Sequence, residues 1–160
     1  MTLAAKDFAP ATPPPRSAQY VYDDALALAV RVAMVTERPL LLRGAPGCGK
    51  TSLARDIARL FDRVYLQQVV TSRTEARDLE WRYDAVRRLS DAQLDTDASR
   101  AAVADAARYV DPQVLWWAFD PGTARTRGGS PVAAAPPPGL HDVATDGRGA
   151  VVLIDEIDKA

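Results

Sequence analysis

The strongest constraint on this chain is an eight-residue run, Gly44-Ala45-Pro46-Gly47-Cys48-Gly49-Lys50-Thr51, set between a short apolar triplet and a helical pattern. Its glycines let the backbone turn back on itself so that successive N–H groups point inward, and the helix that follows brings its positive end to the same place. The order G-x-x-x-x-G-K-[ST] is that of a loop that cradles phosphate groups, and a triphosphate is its natural occupant. The expected nucleotide-contacting set is Gly44, Ala45, Pro46, Gly47, Cys48, Gly49, Lys50, Thr51 and Ser52. Lys50 is expected to reach the β and γ phosphates, and the Thr51 hydroxyl to take one position on Mg²⁺. The competing reading is a glycine-rich turn that merely joins a strand to a helix. Only 3 of the 20 basic residues are lysines, so a lysine in this one slot carries weight.

The flanks predict an α/β order. Asp23 and Asp24 stand where helix caps stand, ahead of Leu26, Val30, Ala33 and Met34, whose spacing puts one apolar face on a helix ending near Arg38-Pro39. Leu40, Leu41 and Leu42 form a continuous apolar run, as expected of a parallel strand buried on both faces. Leu53, Ile57 and Leu60 predict a helix over 51–61, and residues 64–71 a second strand. Tyr83, Val86 and Leu89 mark one further helix, and Val103, Ala106, Ala107 and Val110 another. Nine of the nineteen residues 121–139 are Pro or Gly, which predicts a mobile surface loop without regular structure. Residues 1–19, with Pro13, Pro14 and Pro15, show no periodicity and read as a flexible tail.

The last apolar run, Val151-Val152-Leu153-Ile154, leads straight into Asp155-Glu156. Two acids after a strand are, on their own, an ordinary solvated strand end. A phosphate-binding loop in the same chain changes that weighting, because ligands of parallel sheets gather at the carboxyl ends of the strands. Asp155 is then the expected Mg²⁺ ligand beside Thr51. Glu156 is expected to accept the proton of a water attacking the γ phosphate, which makes Glu156 and Lys50 the catalytic pair.

Composition excludes several classes. At 160 residues and 48% hydrophobic, the chain suffices for one ordinary domain, which rules out full disorder and a multidomain enzyme. Twenty basic against 21 acidic residues leave a net charge of -1, so there is no overall basic field for a nucleic acid, and none is expected as partner. The single cysteine, Cys48, makes no internal disulfide, and Asp7 and Pro10 stand where a secretory leader would be basic and then apolar; the cytoplasm is the expected compartment. The longest apolar helical stretch, residues 25–35, contains Arg31 and falls short of the roughly 20 residues of a membrane span. Cys48, beside Lys50 and a helix start, is expected to be reactive, the alternative being an inert, half-buried thiol. His141 has no second His or Cys at ligand spacing, so no metal role is read for it. Arg87 and Arg88 read as a solvated helix face. Trp116 and Trp117, about 100° apart on a helix, cannot readily share one pocket: either both pack inside, or one faces a partner.

The segments GAPGCGKT and VVLIDEIDKA resemble the Walker A and Walker B motifs of AAA+ ATPases. Between them, Gln68-Val69-Val70-Thr71, Ala76-Arg77-Asp78-Leu79, Tyr83-Asp84-Ala85 and Leu115-Trp116-Trp117-Ala118-Phe119 resemble the MoxR-type branch, with Glu80-Trp81 standing where a glycine often follows the Asp-Leu pair. The resemblance spans residues 20–160. It implies a P-loop NTPase fold, a parallel sheet with flanking helices, carrying an inserted helix and Pro/Gly-rich loop at about 81–148. It implies ATP and Mg²⁺ as cofactors, and hydrolysis that drives chaperone-like remodelling or maturation of a protein partner. Similar ATPases form hexameric rings, often beside a protein with a von Willebrand factor A domain. In those ATPases a further strand, an arginine finger and a helical lid follow Walker B. The fold is therefore expected to be incomplete within these 160 residues, the chain to be the amino-terminal piece of a longer protein, and the piece alone to be inactive. Two alternatives remain open: a P-loop phosphotransferase acting on a small molecule, and a nucleotide-gated binding module without turnover. The fate of the γ phosphate separates all three.

Overall fold

Asp23 accepts a hydrogen bond from the Leu26 N–H at 2.7 Å and so starts helix α1, Asp24–Thr36, in the computed structural model, which describes residues 20–94, 96–137 and 149–159. The chain separates into two units, Met1–Asp62 and Arg63–Ala160. In the first, α1 turns Val30 inward with Leu26, Ala33 and Met34 beside it, the face that the spacing predicts. The helix stops at Glu37, which adopts a left-handed backbone (φ 54°) and donates its N–H to the Ala33 carbonyl.

The strand expected at Leu40, Leu41 and Leu42 does not form. Among the described residues this run joins neither sheet, and Leu41 is 70% exposed. A strand is held by the N–H and C=O groups of a neighbour, which apolar character alone does not supply. After the glycine-rich turn comes α2, Lys50–Leu60, which buries Leu53, Ala54, Asp56 and Ala58.

The second unit is built on a parallel pair, β1 (Val64–Val69) and, much later in the chain, the strand Ala150–Asp155, in register from Val64 opposite Ala150 to Val69 opposite Asp155. A second pair, β2 (Trp81–Tyr83) and β3 (Val110–Pro112), is antiparallel, and the Gln113 N–H donates to the Glu80 carbonyl at 2.8 Å. The chain thus leaves and returns at one point. Between the two strands lie α3 (Ala85–Gln93) and α4 (Asp97–Ala104), and after them α5 (Val114–Phe119) and α6 (Pro121–Arg125). The strand Ala150–Asp155 is β4. Val64 and Leu66 of β1 pack with Val114, Trp117, Ala124 and Ala134 in a core cluster, where Trp117 is only 2% exposed.

Three expectations for the middle are corrected. Tyr83 lies in β2, opposite Val110 of β3, so each of the two helices is shorter than its apolar spacing suggested. Asp105 ends α4 because its backbone leaves the helical region (φ -87°, ψ 87°) and its carboxylate accepts from the Ser130 hydroxyl at 2.6 Å; a single 3₁₀ turn, Ala106–Tyr109, follows. Of the pair expected on a solvated face, Arg87 is exposed and Arg88 half-buried. The Arg88 guanidinium donates to the Tyr83 hydroxyl at 2.8 Å and to the Val103 carbonyl at 3.4 Å, while Arg87 lies over the Tyr109 ring at 6.0 Å.

The segment expected to lack regular structure carries a short helix at its start, Pro121–Arg125, while residues 126–137 form turns and irregular chain. Pro121 occupies the first position of α6, where a missing N–H costs nothing, and Asp120 caps the helix by accepting from the Thr123 N–H at 3.0 Å. That hydrogen bond holds the Asp120 carboxyl below its ordinary range. The buried Arg127 then ties the segment down, donating to the carbonyls of Val110, Val132 and Ala133 and to the Asp111 carboxylate. A guanidinium with five donors satisfies backbone carbonyls that proline and glycine leave without helical partners. His141 lies outside the described residues. Among the described residues no helix is long and apolar enough to cross a membrane.

Candidate functional site

The loop is shaped by two close approaches. Gly49, at the start of α2, has φ 88°, which strains any side chain there, and a Cβ would lie 3.0 Å from Cε2 of Tyr20, so the ring would have to give way. At Gly44 a Cβ would meet Cys48 Sγ at 2.8 Å, which is how the first and fifth residues of the motif come to touch. Lys50 folds back over this turn. Its ammonium donates to the carbonyls of Gly44 at 2.9 Å and Ala45 at 3.0 Å, and Cys48 Sγ lies 3.6 Å away.

Among the described residues no acidic side chain caps the start of α2. No side chain caps Gly49, and no acidic residue stands in the first turn. The start of a helix presents its first N–H groups and the positive end of its dipole to an anionic ligand. Residues 44–48 are exposed, Lys50 and Thr51 half-buried, Ser52 exposed. An exposed loop that carries a cation and opens into a helix without a capping side chain or acid fits a polyphosphate.

The carboxyl end of β4 is arranged differently. Asp155 Oδ1 accepts the N–H of Glu156 at 3.0 Å. Glu156 has a left-handed backbone (φ 60°) that turns the chain out of the strand into the 3₁₀ turn Ile157–Lys159. Its carboxylate accepts from the Lys159 ammonium at 2.7 Å, both side chains being exposed. The hydrogen bond and charge of Glu156 hold the Lys159 ammonium above its ordinary pKa. Sequence reasoning missed this partner, although the three-residue spacing was visible. Among the described residues no three His, Cys, Asp or Glu side chains form a metal-holding group. Mg²⁺ does not require one, since it is usually held by one or two carboxylates together with substrate phosphates. Of the expected site residues, the structure joins Gly44, Ala45, Cys48 and Lys50 in one cluster and Asp155 with Glu156 in another, each within its own unit.

The family model for the AAA domain, dynein-related subfamily, matches residues 39–160. The chain belongs to this family. Neither a curated protein nor a solved structure matches it. An AAA domain has the P-loop NTPase fold, and the α/β build with a small parallel sheet agrees with that. AAA domains are generally ATPases and commonly form oligomeric rings.

Other side chains of this AAA domain went unread in the sequence. The Tyr22 hydroxyl donates to Asp56 Oδ2 at 3.0 Å, and Arg59 donates to the other oxygen of the same carboxylate. Burial, and then the hydrogen bond to Asp56, push the Tyr22 hydroxyl well above its ordinary pKa of 10.0. The signal was an aspartate on the face of α2 that otherwise buries Leu53, Ala54 and Ala58. The two adjacent tryptophans point apart. Trp117 is in the core and donates to the Pro112 carbonyl at 3.1 Å, while the half-buried Trp116 donates to Thr123 Oγ1 at 2.9 Å. Trp116, with Trp81, Leu115 and Phe119, also lines an open cleft of about 470 Å³ that includes none of the expected nucleotide-site residues.

Proposed function

We propose that this AAA domain binds ATP with Mg²⁺ and hydrolyses it. The observation that carries the reading is the Lys50 ammonium, drawn over the phosphate-type loop by the Gly44 and Ala45 carbonyls at the end of α2 that no side chain caps. Lys50 exchanges neutral carbonyl acceptors for phosphate oxygens, and charge-assisted bonds of that kind are roughly twice as strong as neutral ones. The first N–H groups of α2 share the same anion. The Thr51 hydroxyl and the Asp155 carboxylate would hold Mg²⁺, which when bound supplies charge neutralisation between phosphate groups. Glu156 takes the proton of the attacking water, and leaving Lys159, which binds one of its oxygens, makes it the stronger base. An exposed ion pair is worth little, so that exchange is cheap.

The resemblance to the MoxR-type branch extends the proposal to a hexameric ring in the cytoplasm that remodels a protein partner, one class of which carries a von Willebrand factor A domain. Phosphate release by the full-length protein tests the core of it. Lys50→Ala should lose binding and turnover together, Glu156→Gln turnover alone, and transfer of phosphate to a metabolite in place of water would contradict hydrolysis. Sedimentation of the Glu156→Gln protein with MgATP tests the ring: the mass of six copies supports it, and a monomer at saturating nucleotide contradicts it.

A further inference from the structure

Tyr20 and Tyr22 precede α1 and belong to the same unit as the phosphate loop. Several contacts tie them to it. The Tyr20 ring stands against Gly49, with Cε2 at 3.0 Å and the hydroxyl at 3.5 Å from the place of a Cβ. The two tyrosine rings meet edge to face, centroids 5.2 Å apart and planes at 66°, an arrangement that the ring quadrupoles favour. The Tyr22 hydroxyl is bonded to Asp56, and Asp56 to Arg59, both on α2. Asp56 is buried, and a buried carboxylate is stable only when paired and hydrogen-bonded, so these partners are fixed. Gly49 and Asp56 are seven residues apart, close to two helical turns, which puts them on one stripe about 10 Å apart. A short extended segment can therefore touch the helix start through Tyr20 and its second turn through Tyr22.

We infer that Tyr20 is a positioning residue of the phosphate loop: its ring fixes Gly49, and with it the direction of the first N–H groups of α2, while Tyr22, Asp56 and Arg59 hold the ring in place. The segment 20–22 and α2 then behave as one piece, and whatever displaces the segment loosens the loop. This rests on the phosphate-binding reading for its effect on ATP, but it also concerns the free loop, where Cys48 reports it. Cys48 is exposed, with its sulfur close to Gly44 and to the Lys50 ammonium, so its alkylation rate follows loop closure.

The test is iodoacetamide labelling of Cys48 without nucleotide, followed by mass spectrometry, together with MgATP titration by calorimetry, on full-length wild type, Tyr20→Phe, Tyr20→Ala, Tyr22→Phe and Lys50→Ala, each below its melting temperature. Tyr20→Ala should label about threefold faster or more and bind MgATP about fivefold more weakly, the size of a lost ring contact. Tyr20→Phe, which keeps the ring, should restore both to about wild-type values, and Tyr22→Phe should fall between. A folded Tyr20→Ala with wild-type labelling overturns the inference, as does a Tyr20→Phe equally impaired. If Tyr20→Ala does not fold, Tyr22→Phe decides by the same two readouts, wild-type values overturning and intermediate values supporting. If Lys50→Ala binds MgATP as wild type does, the phosphate-binding reading fails by itself, and the labelling rates alone decide the role of Tyr20.

Discussion

Lys50 and Glu156 both rest on partners supplied by the chain, but partners of different kinds. The ammonium of Lys50 is held by main-chain carbonyls five and six residues upstream, which come with the turn and cannot be removed by substitution. The carboxylate of Glu156 is held by one exposed side chain three residues downstream. The loop is therefore a preformed cradle whose geometry is written into local backbone conformation. The strand-end acid is an exchangeable group whose present partner one mutation deletes. The two regions should respond to change accordingly.

The largest effect belongs to Glu156. Glu156→Gln should lower phosphate release by about 10²–10⁴-fold while MgATP affinity stays within about twofold, because the amide keeps the size of the group but accepts no proton. Equal loss of binding and turnover would erase the difference between the two regions. Next comes the loop backbone. Gly49→Ala places a Cβ in a left-handed conformation and against Tyr20, and should cost about 1–2 kcal/mol in thermal denaturation along with nucleotide affinity. A variant as stable and as tight as wild type would show that the loop is not preformed.

A smaller effect sharpens the contrast through pH. Because burial and Asp56 raise the Tyr22 hydroxyl above 10.0, the folded unit keeps it neutral where the unfolded chain ionises it. Its contribution to stability is complete below pH 10 and is lost as the pH rises through the raised value. Melting curves between pH 9 and about 11.5 should show wild type losing more stability than Tyr22→Phe over that range; parallel curves would contradict the assignment. The smallest effect is expected for Lys159→Ala, which should leave the melting temperature unmoved and turnover no lower than wild type, since it frees Glu156 without touching the loop. A sharp fall in turnover would mean that Lys159 acts in the reaction and is not a resting partner.

Where sequence order alone dictates conformation, the reading matched the structure. The run from Gly44 to Lys50 has to turn and has to start a helix, and Asp23 has to cap one, whatever surrounds them. Strands at 64–71 and 151–154 were visible in the sequence, though not as neighbours; they pair over Val64–Val69 and Ala150–Asp155. Readings that depended on a distant partner went astray. Leu40, Leu41 and Leu42 have the composition of a strand and no ladder among the described residues. Tyr83 and Val110 fit a helical period but face each other across a two-stranded ribbon. Residues 121–137 carry the composition of a loose loop, yet they begin with the helix Pro121–Arg125, and the buried Arg127 binds the Val110, Val132 and Ala133 carbonyls, contacts that no local pattern reveals. The Tyr22–Asp56 bond joins residues 34 apart, which periodicity cannot see.

The central claim is that the Gly44 to Thr51 loop holds the phosphates of ATP through Lys50. Calorimetric titration of MgATP into wild-type and Lys50→Ala full-length protein measures it directly. Wild type should bind saturably and the variant at least about tenfold more weakly, about 1.4 kcal/mol or more. Equal affinities, with both proteins folded, would contradict it.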